Sequence, residues 1–196
     1  MFEIQDESSQ LVGLKMDVKP GDHVMDFCAG SGGKSLVFGP NLQGFGRIYL
    51  HDIRDEMLEQ ARKRLKRAKL HNVQYLPERH PLKSKLVGRM DWVVCDVPCS
   101  MSGSIRRNPN MKWTFSDELL FKWIAQQRDI FEDALKFLKP KGKIVYSTCS
   151  ILDEENVRQV KYLCHKHGLF LSEPPFHALP QSKGMDGFFT AIMERM

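Results

Sequence analysis

The sequence has no apolar run approaching the roughly 18 residues that cross a membrane. Its N-terminus, MFEIQDESSQ, is acidic and polar, unlike a secretory signal. Cysteine is sparse and odd in number: five in 196 residues, at Cys28, Cys95, Cys99, Cys149 and Cys164. Such a set argues against a disulfide scaffold and for a reducing, cytoplasmic compartment. No repeat of 20–50 residues is present, and no Gly/Ser-rich or Pro-rich linker divides the chain. What remains is ordinary globular composition, 42% hydrophobic and 27% charged. Twenty-nine Lys and Arg against 24 Asp and Glu leave a net charge of +5. That excess permits a nucleic-acid partner without demanding one.

Strand and helix patterns alternate along the chain. His23–Cys28 (HVMDFC), Arg47–Leu50, Val73–Leu76, Asp91–Cys95 and Lys143–Ser147 read as strands. Segment 5–16 reads as a short amphipathic helix with Leu11, Val12 and Leu14 among its apolar residues. Residues 54–70, 116–137 and 153–167 read as longer helices. Ser116 caps the second, Pro140-Lys141-Gly142 breaks the chain after it, and Gly168 stops the third. Strand segments are expected near 169–172 and 187–194. The pattern predicts an α/β fold: a mostly parallel sheet with helices on both faces, forming one domain over residues 1–196. Ligands of such sheets bind at the carboxyl ends of the strands. Cys28, Asp52, Asp96 through Cys99, and Cys149 all follow predicted strands.

The first of these loops, DFCAGSGGKS (26–35), is rich in glycine and opens a helix. Backbone N–H groups there can approach a ligand closely. Asp52 stands 19 residues after Gly33, placed to accept ribose hydroxyls. Together they suggest a nucleoside-bearing cofactor. GGKS resembles the end of a phosphate-binding P-loop, but the glycine that motif needs is replaced by Cys28. A dinucleotide fingerprint fails at Ser35. A turn that binds nothing is the bland alternative.

Two further loops each set a cysteine among small polar residues: CDVPCSMSGSIRRNPNMKW (95–113) and VYSTCSI (145–151). A lone cysteine at a strand end is most often a small buried hydrophobe. Two cysteine loops at one sheet edge shift the balance toward nucleophilic chemistry. A carboxylate beside them, Asp96, can exchange a proton with a heterocycle.

With these motifs in place, the sequence resembles the Sun/Nop family of RNA cytosine-5 methyltransferases, most closely the bacterial branch acting on small-subunit ribosomal RNA. Five blocks carry the resemblance: IQDESSQLV (4–12), DFCAGSGGKS, DVPCSMSGSIRRNPNMKW, YSTCSILDEEN (146–156) and DGFFTAIMER (186–195). It implies a Rossmann-like class I fold and S-adenosylmethionine as cofactor. The cofactor would lie against Cys28, Ala29, Gly30, Ser31, Gly32, Gly33 and Lys34, with Asp52 on its ribose and Asp96 beside it. Cys149 of the Thr-Cys loop would attack C6 of cytosine, Asp96 would meet N3, and Cys99 of the Pro-Cys loop would assist product release. DNA cytosine-5 enzymes use a Pro-Cys nucleophile, so the Thr-Cys loop favours RNA. The target base must leave its stack to react.

Two departures stand out. The segment YLPERHP (75–81) replaces the family's usual Asp-containing turn near adenine, bringing Pro77 or Glu78 to that place. Family members also carry an upstream RNA-binding domain, absent here, so specificity would come from a missing domain or a partner protein. A milder change is Asn110 for the usual Asp. Arg106, Arg107 and Lys112 are candidate RNA contacts. The alternative for Arg106 is a salt bridge ordering the loop, and for Trp113 packing is favoured over stacking. The basic helix 54–70 reads as a solvated face. Cys164, His165 and His167 lack a second ligand pair, so no metal is expected. The expected partner is ribosomal RNA, then transfer RNA, and no membrane. The competing class is a non-catalytic RNA-binding or ribosome-assembly factor on the same fold, against which the Cys149, Cys99 and Asp96 set argues.

Overall fold

The computed structural model describes residues 2–195. Helix α1 (Glu7–Lys15) precedes strand β1 (His23–Asp26), α2 (Gly33–Phe38), β2 (Arg47–His51), α3 (Asp55–Arg67) and β3 (Val73–Leu76). Then come β4 (Met90–Asp96), the single turn α4 (Met111–Thr114), α5 (Asp117–Leu135), β5 (Leu138–Thr148) and α6 (Val157–His167). Three strands end the chain: β6 (Leu169–Leu171), β7 (Phe176–Ala178) and β8 (Phe188–Arg195).

The sheet order is β3-β2-β1-β4-β5-β8-β6, with β7 also paired to β8. Strands β1 to β5 run parallel. Strand β8 runs antiparallel, inserted between β5 and β6. The order reverses between β1 and β4, which opens a crevice at their carboxyl ends.

Alternating residues of each buried strand feed two apolar layers. Val24, Ile48, Leu50, Trp92 and Val94 meet α1, α2 and α3 through Val12, Phe38, Leu58, Ala61 and Leu65. Met25, Val93, Ile144 and Tyr146 meet α5 and α6 through Phe131, Ala134, Val160 and Leu163. The parallel, doubly covered sheet expected from the sequence is the one observed.

The differences have local causes. Helix α1 begins at Glu7 because the Asp6 side chain accepts the Ser8 N–H. Val12 is buried there, but Leu14 is 66% exposed and does not pack. Pro140 does not bar a strand: β5 starts at Leu138, and a register shift against β4 between Met90 and Trp92 absorbs the irregularity. Helix α6 begins at Val157 rather than 153, because Asn156 spends its side chain on Thr148 Oγ1 and the Ser150 carbonyl. Gly168 closes that helix in the left-handed region, at φ +62°. Trp113 is 78% exposed on α4, so packing is not its role. Among the described residues no helix is long and apolar enough to cross a membrane.

Candidate active site

The loops at the carboxyl ends of β1, β2, β4 and β5 surround a cleft of about 790 Å³. Cys28, Ala29, Gly30, Ser31, Gly33 and Lys34 line it from the first loop. Asp52 lines it from the second strand, Asp96 and Cys99 from the fourth, and Cys149 from the fifth. Gly32 lies behind the loop. It caps α2 at φ +78°, and a Cβ there would sit 2.6 Å from Leu65 Cδ1, so only glycine fits.

Asp52 accepts the Gly30 N–H at 2.8 Å and the forked guanidinium of Arg54 at 2.9 and 3.0 Å. Burial works to raise this carboxyl. The hydrogen bonds from Arg54 and Gly30 outweigh burial and hold it below the ordinary carboxylate range. The anion is thereby prepared at the position where ribose hydroxyls are expected.

Asp26, at the end of β1, was not singled out by its sequence context, although it opens the glycine-rich motif. It is buried at the cleft floor, where it accepts the Ser35 hydroxyl at 2.8 Å and leaves Oδ1 without a partner. Burial pushes its carboxyl up to about 6. Below the unfolded value both states carry the proton. Between the ordinary carboxylate value and about 6 only the unfolded state has released it, so stability falls across that window and levels off once the folded carboxyl ionises. Relative to Asp26→Asn, the wild type is expected to lose on the order of 2 kcal/mol between pH 4 and pH 7. Urea unfolding of both proteins at the two pH values measures it; a pH-independent difference would count against the assignment.

The thiols of Cys99 and Cys149 lie 3.3 Å apart. The hydrogen bond from Cys99 holds the Cys149 thiol below its usual value, with the Ser104 hydroxyl and the Lys34 cation assisting against burial and Asp96. Donating that same hydrogen bond, and burial, push Cys99 well above the thiol range. Burial likewise pushes the Cys28 and Cys95 thiols up, away from the thiolate form a nucleophile needs. Lys34 is buried, ion-paired to Asp96 Oδ2, and 5.1 Å from the ring centre of Phe188. The other Asp96 oxygen accepts the Ser147 hydroxyl at 3.1 Å.

The basic loop is tied down more than the sequence suggested. Arg106 and Arg107 both pair with Asp186, which is 1% exposed, and Arg106 also meets Asp6 at 3.3 Å. The ordering salt bridge is therefore present for Arg106. Arg107 reaches the cleft wall, whereas Lys112 lies apart, 4.8 Å above the ring of its neighbour Trp113. Two glycines draw the loop against the nucleophile. The Gly103 N–H donates to the Cys149 carbonyl and the Gly187 N–H to that of Gly103, both at 2.9 Å. A Cβ on Gly103 would lie 2.3 Å from Gly187 O.

Other contributors were missed. His51 is buried between the Phe27 carbonyl at 2.8 Å and Glu78 at 2.7 Å, so Glu78 closes over the end of β2. Burial opposes its charge, yet His51 and Lys83 hold the Glu78 carboxyl below the usual range. Glu78 thus occupies the region of the altered YLPERHP turn. Beneath the cysteine loops lie Gln127, Glu155, Asn156 and Gln159, each 0% exposed. Polar residues spaced along helices carry no local sign of such convergence. Cys164, His165 and His167 close α6, and among the described residues no group of His, Cys, Asp and Glu is arranged to hold a metal.

A glycine-rich loop at the β1/β4 switch point, an acid ending β2 and an antiparallel strand inserted beside β5 together define the Rossmann-like class I fold of the S-adenosylmethionine-dependent methyltransferases. A methyltransferase homolog protein from Pyrococcus horikoshii shares the fold with a TM-score of 0.82 and 26% identity, covering 99% of this chain and 68% of that one. NSun6 from the same organism, solved with SFG, gives 0.83 at 24% identity over 97% of this chain and 52% of its own, and bears on the fold alone. The chain belongs to the 16S rRNA methyltransferase RsmB/F family, whose model matches residues 14–194. Ribosomal RNA small subunit methyltransferase B of Pectobacterium carotovorum subsp. carotovorum is 34% identical over 200 residues, 96% of this chain and 46% of that protein. Its counterpart in Serratia proteamaculans is 32% identical, covering 98% and 47%. The chain spans about half the length of the curated relatives it matches.

Proposed function

We propose that this chain transfers a methyl group from S-adenosylmethionine to C5 of a cytosine in RNA, ribosomal RNA first and transfer RNA second. The observation that carries the reading is the pairing of Cys149 with Cys99 at 3.3 Å in the same cleft as Asp96, Asp52 and the glycine-rich loop. The site fits the cofactor. Asp26 Oδ1, unpartnered at the cleft floor, suits a ligand that donates N–H groups, and Asp52 suits one that donates hydroxyls. When bound, the cofactor supplies an electrophilic methyl group.

Cytosine C5 is a poor nucleophile until the ring is disrupted. The Cys149 thiolate adds to C6, forming an S–C6 bond and pushing electron density toward C5 and N3. The proton that Lys34 shares with Asp96 passes through the Asp96 carboxyl to N3 and neutralises that charge, with Ser147 holding the other Asp96 oxygen. Once C5 carries the methyl group it must lose its proton. With the Cys149 charge consumed in the S–C6 bond, Cys99 gives its proton to water and, as thiolate, takes the proton from C5; the ring double bond re-forms, N3 returns its proton to the Asp96–Lys34 pair, and Cys149 leaves as thiolate. Arg107 at the cleft wall offers a phosphate contact, and further RNA specificity comes from a separate RNA-binding domain or partner.

Tritium transfer from labelled S-adenosylmethionine to unmethylated ribosomal and transfer RNA, followed by nucleoside analysis, tests the reading. Labelled 5-methylcytidine is expected, with ribosomal RNA the better acceptor. Label in any other nucleoside, or none despite cofactor binding seen by calorimetry, would refute it.

A further inference from the structure

The two active-site thiols touch, yet their surroundings differ in charge. Cys149 faces Cys99, the Ser104 hydroxyl, Lys34 and Asp96. Cys99 faces Cys149, the Met101 N–H and Glu155. Glu155 lies just before α6, is 0% exposed, and accepts the Ser100 N–H at 2.9 Å and the Ser100 hydroxyl at 2.5 Å. Gln127 of α5 donates to Glu155 at 2.9 Å and to the Pro98 carbonyl at 3.1 Å. Ser100 is thus anchored directly to the carboxylate, and Pro98 is anchored to it through Gln127. The donors to the carboxylate, a backbone amide, a hydroxyl and a side-chain amide, are all neutral. The nearby Tyr146 hydroxyl donates to the Glu155 backbone carbonyl and not to its carboxylate.

We propose that Glu155 is a positioning residue that, opposite Lys34, keeps the proton shared by the two thiols on Cys99 and the negative charge on Cys149. The inference deepens the proposed reaction and rests on it for its catalytic meaning. Two touching thiols ionise as a unit, and the first proton lost belongs to the pair. Which sulfur then carries the charge depends on the field across them. In a dry interior that field is little screened. A charge on Cys99 would share buried space with Glu155. On Cys149 the same charge meets Lys34 and Asp96 as an ion pair whose opposed fields partly cancel, Asp96 being the stronger there, and it accepts hydrogen bonds from Cys99 and Ser104. The thiol of Cys99 then donates to the Cys149 thiolate, which is the arrangement nucleophilic attack needs. Glu155 thereby separates the roles of two residues whose side chains are chemically identical.

Pulsed alkylation of the full chain with iodoacetamide, read by peptide mass spectrometry, reports the label at each cysteine and needs neither RNA nor cofactor. Near pH 7 wild-type label is expected on Cys149 over Cys99. Glu155→Gln keeps the size and one accepting oxygen, and the ratio of the two labels is expected to fall about tenfold, one unit of relative acidity. The Cys99 label should also emerge about one pH unit earlier. A loop merely loosened by the substitution would raise both labels together at every pH, and that result, like an unchanged ratio, overturns the assignment. If Glu155→Gln does not melt cooperatively, Lys34→Met removes the opposing cation and must lower the ratio too; failure to do so overturns it equally. A lowered ratio in a protein whose wild type transfers no methyl group would sink the proposed reaction while the charge assignment stood.

Discussion

Replacement of Cys149 by alanine is expected to reduce methyl transfer by on the order of 10³-fold or more, with cofactor affinity unchanged. The size follows from its role: without the S–C6 bond, C5 has no electron density to attack with, and no neighbouring group replaces the thiolate. Cys99 cannot substitute, because its thiol is held well above the ordinary range. Asp52, Asp26 and the loop from Cys28 to Lys34 belong to other strands and keep their own hydrogen bonds, so the cofactor site survives. Tritium transfer and calorimetry on the same preparation check both halves. Substantial turnover in Cys149→Ala would exclude the nucleophile assignment, and loss of cofactor binding would point to a collapsed site.

The opposite phenotype is expected for Cys99→Ala. Attack by Cys149 slows with loss of the Cys99 hydrogen bond but still proceeds, and departure from the ring slows far more, so enzyme bound covalently to RNA accumulates. A denaturing gel should show a slower band that carries both protein and RNA. The loop around position 99 should hold its shape, since Ser100, Pro98 and Gly103 are tied to Glu155, Gln127 and Cys149 rather than to the Cys99 side chain. Without that band in a preparation that binds cofactor and RNA, the release role fails. The double replacement of Cys99 and Cys149 should form no adduct, which identifies the attached residue.

Much of this site could be read before any coordinates. Strand ends at Asp26, His51, Asp96 and Thr148 fall beside the four motifs because each motif is continuous in the chain and begins where a buried apolar run stops. Helices α3 and α5 were legible for the same reason, with apolar periodicity and a Ser116 cap written locally. Residues that act across long separations were not. Glu155 reaches Ser100 and Gln127 from other segments, and Asp186 reaches Arg106 and Arg107; nothing in the intervening sequence announces either meeting. Trp113 was misjudged because hydrophobicity predicts burial only on average. The start of β5 was misjudged because a proline ordinarily argues against a strand, and here a register shift accommodates it.

The insertion of β8 between β5 and β6 has a consequence for how the site comes into being. The Cys149 loop takes its place through Gly103, and Gly103 takes its place through Gly187, immediately before the last strand. Strand β5 meanwhile lies unpaired on one edge until Phe189–Glu194 add to it. Pairings of such separation form late, after the local units have closed. During synthesis, the segments carrying the cofactor loop and Asp52 emerge first, and the thiol pair is completed only when residues 186–195 have cleared the exit tunnel. A chain cut before residue 186 would therefore keep its glycine-rich loop and Asp52 while losing the Gly187 donor that seats Gly103 against the Cys149 loop.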